Sequence, residues 1–323
     1  MTLENGRELF DLFLKRRPLT RPVFLPLIRG LMARVGGSSV EALTSDPTIW
    51  ANTLLRTAEL FDLDGLVTGF HFSLMAEACG CGLVWENDRP VILPRAGNPC
   101  EEPEKTRRLA NALEAAGRVI QVCRPKRAVA AAVAGPLTLR RHVFPDDVDE
   151  GAAWRYIKGA LARAVEAFCA KRPDAFIFME GLRAGEDIPP QVRRIYSTLK
   201  NIVSHYGVVP GLYVQGHDPT ELARLTALEM EVYVLGPDAE GRPPGARDLW
   251  NLGASSSGAG LGVGLGLPVD DPDLAQGIIE EGLEYYRAQN RVGFFYTSIG
   301  PLTRQADPEK LHDLVGRIRR ARV

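Results

Sequence analysis

The sequence has little that would mark a membrane, secreted or nucleic-acid-binding protein. No apolar run reaches the roughly 18 residues a spanning helix needs. Excess charge of either sign is missing: 39 Lys and Arg stand against 40 Asp and Glu, a formal net charge of −1. That balance gives no general pull toward nucleic acid or an anionic membrane. Cysteine is sparse, with five residues (79, 81, 100, 123, 169) in 323. An odd count in so long a chain excludes a disulfide framework, and reduced thiols in a cytoplasmic protein are expected. The first residues, MTLENGRELFDLFLKRRPLTR, lack the apolar core of a signal peptide. Residues 1–21 read instead as an amphipathic helical arm, closing the bottom of a barrel or packing on a partner.

What is present is alternation. Short apolar runs take turns with helix-period stretches, the signature of βαβ units and a parallel sheet. The strand-like runs are 22–28 (PVFLPLI), 65–70 (GLVTGF), 128–135 (AVAAAVAG), 175–180 (AFIFME), 209–216 (VPGLYVQG), 231–236 (EVYVLG), 260–266 (GLGVGLG) and 292–298 (VGFFYTS). Helices are expected from Asp46-Pro47, across about 103–122, 150–171 and 189–206, from Asp218-Pro219, and from Pro308. LVWENDRPVIL (83–93) reads as a hairpin turning at Asn87-Asp88. Eight strands with no linker or composition shift predict one (β/α)8 TIM barrel over residues 1–323 rather than an open doubly wound sheet. The Gly-rich stretch 253–266 lacks GK[ST] and any GxGxxG-to-helix pattern, so it reads as a tight strand and its preceding loop rather than a phosphate cradle.

Several segments in order resemble the uroporphyrinogen decarboxylase superfamily. These are FDLDGLVTGFHFSLMAEACGCGLVWENDRPVI, VAGPLTLRRHVF, PDAFIFMEG, VPGLYVQGHDP and the C-terminal DPEKLHDLV, together spanning about 20–320. The resemblance implies a (β/α)8 barrel, a homodimer, and one of two chemistries: porphyrinogen decarboxylation, or zinc-dependent methyl transfer to or from a corrinoid protein. The sequence departs from the family's marks for both. The arginine-rich segment after the first strand is reduced to Arg29. The decarboxylases' aspartate after the second strand falls on His71, their tyrosine on His142, and their C-terminal histidine on Gly300. A substrate bearing eight carboxylates requires several cationic partners, so loss of these positions argues against uroporphyrinogen. The methyltransferases' His-x-Cys-Gly zinc segment reads Tyr213-Val214-Gln215-Gly216, with His217 one residue beyond.

Barrel active sites gather at the C-terminal strand ends. Those ends offer Arg29, His71, Glu180, Gln215, His217, Asp238 and Tyr296, with Thr297 and Ser298 beside them. His71 and Glu180 are candidate catalytic residues, as general base and orienting partner. Arg29, Arg140, Gln215, Asp238 and Tyr296 are candidate substrate-binding residues. His71, Glu180 and His217 together would make a zinc site with an open position. The alternative for His71 and Glu180 is a hydrogen-bonded polar lining. Cys79 and Cys81 read as packing residues beneath the hairpin, and Trp85 and Trp250 as lids or packing. The expected function is methyl transfer on a small-molecule substrate, with a corrinoid partner protein or a methylated small molecule. The alternatives are a carboxy-lyase of a smaller acid and a non-catalytic ligand-binding barrel.

Overall fold

A computed structural model describes residues 5–69, 72–95, 97–144, 148–183, 185–253, 262–288 and 294–323. Its strands are β1 (Gly65–Thr68), β2 (Cys81–Glu86), β3 (Arg89–Arg95), β4 (Ala128–Ala134), β5 (Ala175–Gly181), β6 (Val209–Gln215), β7 (Val232–Leu235), β8 (Gly262–Leu267) and β9 (Phe294–Ser298). The helices are α1 (Gly6–Leu14), α2 (Gly30–Gly36), α3 (Val40–Thr44), α4 (Pro47–Leu60), α5 (Phe72–Ala78), α6 (Arg107–Cys123), α7 (Pro136–Val143), α8 (Glu150–Cys169), α9 (Pro190–His205), α10 (Ala246–Gly253), α11 (Pro272–Ala288) and α12 (Pro308–Arg320). Tight 3-10 turns cover Pro103–Lys105 and Pro219–Leu228.

Seven strands form one parallel sheet in the order β1-β4-β5-β6-β7-β8-β9. The expected helix starts hold: Asp46 caps α4 ahead of Pro47, and Asp307 caps α12 ahead of Pro308. The stretch after Asp218-Pro219 is 3-10 rather than α, with Asp218 accepting from the Thr220 amide. The hairpin β2–β3 turns at Asn87 and Asp88, whose φ values of 49° and 63° are those of a type I′ turn.

The first expected strand is not a ladder strand. Segment 22–28 makes isolated parallel bridges, Phe24 to Tyr296 and Ile28 to Leu302. Its amides explain why. Leu25 donates to the Tyr296 carbonyl at 2.9 Å, toward β9. On the opposite side, Pro26 has no N–H to give, and the Phe24 amide goes to the Asp64 carboxylate at 3.1 Å. Arg21 holds the same carboxylate with two bonds of 2.8 and 2.6 Å. A side-chain clasp replaces a backbone ladder between this segment and the chain entering β1.

The sheet is curled, and each strand divides its residues by parity. Leu25, Val67, Ala130, Ile177, Tyr213, Val234 and Phe295 pack together inside the curl, although they come from both sheet edges and the middle. Their neighbours Phe24, Leu66, Val129, Phe178, Val214, Leu235 and Tyr296 face the surrounding helices. The arm forms α1, opened by a capping box between Asn5 and Glu8. Phe10 and Phe13 enter the curl and meet Phe295 edge-on, at centroid distances of 5.7 and 5.1 Å. Arg7 bonds the Lys126 carbonyl, just before β4. The arm therefore plugs the N-terminal end, leaving the C-terminal end as the mouth. Among the described residues, no helix is long and apolar enough to cross a membrane.

Candidate functional site

Parity decides what each strand-end residue can do. Glu180 follows Phe176 and Phe178 on the outer face of β5 and is 1% exposed. Its carboxylate accepts four hydrogen bonds: from the Leu137 amide (3.0 Å), the Thr138 amide (2.8 Å), the Thr138 hydroxyl (2.5 Å) and the Tyr196 hydroxyl (2.6 Å). It caps the first turn of α7, where free amides favour an anion. Burial pushes the carboxyl above its ordinary range, while the four donors oppose that shift. An ionised carboxylate accepts about four such bonds, so Glu180 has no lone pair left for a metal or a proton in flight. Sequence reading set it at the mouth, but the structure puts it under α7.

Tyr296 shares that outward parity. Its hydroxyl donates to the Ile279 carbonyl at 3.0 Å within the helical layer. Asp238 staples its own loop, accepting from the Glu240 and Arg242 amides (both 2.9 Å) and the Arg242 guanidinium (2.8 Å). Arg140 is buried, bonding the Phe144 carbonyl (3.1 Å) and Glu150 (2.7 Å). Its neighbour Arg141 reaches across to Glu186, one guanidinium nitrogen donating to both carboxylate oxygens at 2.8 and 2.6 Å and tying α7 to the loop after β5.

Two expected residues remain at the mouth. Gln215 ends β6 with the parity of Tyr213, whose hydroxyl lies 3.4 Å from its amide oxygen. Arg29 follows Leu25 and Leu27 in the inward series and precedes α2. It borders a space walled mostly from the helical layer, by Ile28, Met32, Thr44, Trp50 and Leu54, with Val67 and Gly69 from the β1 side. No described residue makes a hydrogen bond or ion pair with its guanidinium. Burial pushes the Arg29 pKa down and the nearby Arg89 adds to that, while Asp88 opposes. Asp88 itself is occupied by Arg304 at 2.6 Å and the Val40 amide at 2.7 Å. A half-buried guanidinium without a counter-ion is costly unless an anion completes it.

Below the mouth, the inner face is apolar. Leu27, Val67, Met179, Tyr213 and Val234 surround Thr297, which is 2% exposed and whose hydroxyl has no partner among the described residues. His217 occupies different surroundings, just beyond β6. It is 3% exposed, neither ring nitrogen has a hydrogen-bond partner, and burial pushes its pKa down against Asp248, Asp238 and Asp218. His71 lies outside the described residues. The expected zinc set of His71, Glu180 and His217 therefore lies partly outside the described residues, while Glu180 has its four acceptor sites filled. Among the described residues no three His, Cys, Asp or Glu side chains converge on a point where a metal ion could sit.

The corner beneath the hairpin packs. Cys79 and Cys81 are buried, the Cys81 thiol lies 3.3 Å from the His142 carbonyl, and burial pushes the Cys79 thiol up to about 12. Arg108 lies over the Trp85 ring at 5.2 Å, so that indole serves the hairpin. Trp250 meets Tyr285 edge-on at 4.8 Å. Sequence reading missed the Arg141–Glu186 tie and the unpaired Thr297 hydroxyl. Strands apolar on both faces carry no parity signal in the sequence.

By sequence the chain matches no protein-family description and no curated protein. In three dimensions it has the fold of a class of α/β proteins that includes methyltransferases. It is similar to a methyltransferase from Methanosarcina mazei, with a TM-score of 0.75 and 15% identity over 98% of this chain and 99% of that one. It is also similar to the "Putative Vitamin-B12 Independent Methionine Synthase" from Listeria monocytogenes, with a TM-score of 0.58 and 12% identity over 94% and 97%. At such identities the likeness establishes the fold.

Proposed function

We propose that this chain is a methyltransferase of the uroporphyrinogen decarboxylase-like group, its sheet and segment 22–28 making a closed eight-membered barrel. It moves a methyl group between a corrinoid protein or methylated small molecule and a small acceptor held at the mouth. The full-length likeness to the Methanosarcina mazei methyltransferase carries this reading, and the uncompensated Arg29 supports it by offering an anchor for an anionic acceptor. The homodimer implied by the resemblance belongs to the same reading.

Each residue's task follows from its chemistry. Arg29 holds the acceptor's carboxylate or other anionic group by a forked, charge-assisted pair. Gln215, at the end of the central strand β6, offers an amide donor and acceptor from the far side of the curl. Leu27, Val67 and Met179 below exclude water, which keeps a reactive methyl group from hydrolysis. His71 is assigned the general base: an acceptor thiol gives it the S–H proton, the sulfur lone pair attacks the methyl carbon, and the donor keeps the electron pair of the broken bond. A corrinoid, where it is the donor, would supply the methyl group from a partner protein. The described residues do not fit a zinc site, so no step is routed through one. Glu180 acts at a distance, holding α7 and through Thr138 the Arg141 tie.

The test is incubation of purified protein with methylcobalamin or a methylated thioether and homocysteine, following methionine by mass spectrometry. Methyl transfer that Arg29→Leu reduces about a hundredfold is expected. Absence of transfer from every donor, with carbon dioxide released from a small carboxylic acid instead, would replace methyl transfer with the carboxy-lyase reading.

A further inference from the structure

Three of the five cysteines meet at the base of the hairpin. Cys79 follows α5, Cys81 opens β2, and Cys100 lies on the chain returning from β3. The other two, Cys123 and Cys169, are buried at the ends of α6 and α8. The returning chain runs beside the departing one. The Cys100 amide donates to the Cys79 carbonyl at 3.4 Å, and the Asn98 carbonyl passes beside Gly80. Hydrogen-bonded strand residues have Cα atoms about 5.5 Å apart, within the roughly 4.4–6.8 Å that a disulfide spans. Tyr156 closes the corner from α8: its hydroxyl donates to the Cys100 carbonyl at 2.7 Å and lies against the Cys79 thiol. The Cys81 thiol is engaged elsewhere, 3.3 Å from the His142 carbonyl.

Access separates the two partners. Cys79 is 0% exposed, and burial raises its thiol so far that a reagent in solution meets almost no thiolate there. Cys100 is partly exposed. A reachable thiol beside an inaccessible one is the arrangement in which the first reacts and the second resolves. From the shared backbone bond and this contrast in exposure, we propose that Cys79 and Cys100 form a reversible disulfide that staples the base of the β2–β3 hairpin. The oxidant is a low-molecular-weight disulfide. The Cys100 thiolate attacks one of its sulfurs, forming a mixed disulfide and releasing one thiolate. Cys79 then loses its proton to buffer and attacks the Cys100 sulfur, breaking the mixed disulfide and expelling the second thiolate. Two electrons pass from the protein thiols to the reagent, whose two halves leave as thiols. The burial of Cys79 makes the second step the slow one. The staple is independent of the methyl-transfer reading.

The test is incubation of the full chain with oxidised glutathione in mildly alkaline buffer, followed by alkylation, digestion and mass spectrometry. A glutathione adduct at Cys100 is expected first. It should convert to a Cys79–Cys100 link, with two hydrogens lost from the intact mass, and dithiothreitol should reverse both steps. Cys79→Ala should leave the Cys100 adduct unresolved. Cys100→Ser, a change at a partly exposed position that guards against a Cys79 variant that does not fold, should leave Cys79 unmodified. Cys81→Ala should form the link as the wild type does. Amide exchange across β2 and β3 should slow in the oxidised chain. The proposal is overturned if Cys100 does not react, if its adduct persists unresolved in the wild type, or if the link runs through Cys81 or forms only in denaturant. Unchanged exchange in the linked chain would overturn the stapling of the hairpin.

Discussion

The two faces of the curled sheet differ in how fully their polar residues are satisfied. On the outer face, the polar groups of Glu180, Tyr296, Tyr233 and Ser298 are all satisfied. Glu180 accepts four bonds, the Tyr296 hydroxyl reaches the Ile279 carbonyl, the Tyr233 hydroxyl reaches the Leu225 carbonyl, and Ser298 accepts from the Leu27 amide at 2.9 Å. On the inner face the Tyr213 hydroxyl reaches Gln215 and the Ile299 carbonyl, but among the described residues Thr297 has no hydrogen-bond partner and the Arg29 guanidinium has no hydrogen bond or ion pair. Residues one step apart on a strand thus differ in kind: 296 and 298 are bonded into the fold, and 297 faces the apolar inner space with its hydroxyl unpaired. Saturation marks structure, and an unfilled donor or acceptor marks a place for something else.

The sharpest way to break this comparison is Glu180→Ala. It orphans two amides and two hydroxyls at once, and a loss of about 3–5 kcal/mol in denaturant unfolding is expected. If stability stays intact and only turnover falls, the outer face is functional after all. Arg29→Leu is the mirror experiment. Catalytic efficiency should drop about a hundredfold while the unfolding free energy holds or rises, since an uncompensated charge is removed. A third test uses pH. Burial, with Arg141 adding to it, lowers the His142 pKa from 6.5 to about 4. Between those values the unfolded chain binds a proton that the folded chain refuses, so stability is complete above about pH 6.5 and falls as the pH drops toward 4. The loss is at most about 3 kcal/mol. Unfolding curves of His142→Phe should be flatter across that window. The smallest effect belongs to Thr297→Val, which removes an unpaired hydroxyl and should change stability by less than about 1 kcal/mol, toward stabilisation.

Much of the fold was legible because its signals are local. Asp46-Pro47 and Asp307-Pro308 are capped helix starts, and Asn87-Asp88 is a turn that needs positive φ. Seven of the eight expected strands stand in the sheet. The eighth, 22–28, was readable as extended but not as unlatched from its neighbour: that depends on Pro26 meeting a partner donor-free and on Asp64 taking the Phe24 amide, two facts about residues far apart in the chain. The candidate site was legible as a list of strand-end residues and illegible as an arrangement. AFIFME is apolar until its last residue, so nothing in it says that Phe178 and Glu180 face outward while Met179 faces in. The register supplies that, and the register is set by the whole sheet.

The placement of segment 22–28 also fixes an order of events during synthesis. Its closest backbone partners are residues 296–302, and the Leu27–Ser298 contact spans 271 positions. The chain's first extended segment therefore waits for nearly its last, and until then Leu25, Phe24 and the arm's Phe10 and Phe13 have no inner or outer layer to join. Contacts of such long range close slowly and leave apolar surface open meanwhile. The Arg21–Asp64 clasp shortens the wait at one end: it joins residues only 43 positions apart. It can hold the segment beside β1 long before the far edge of the sheet arrives.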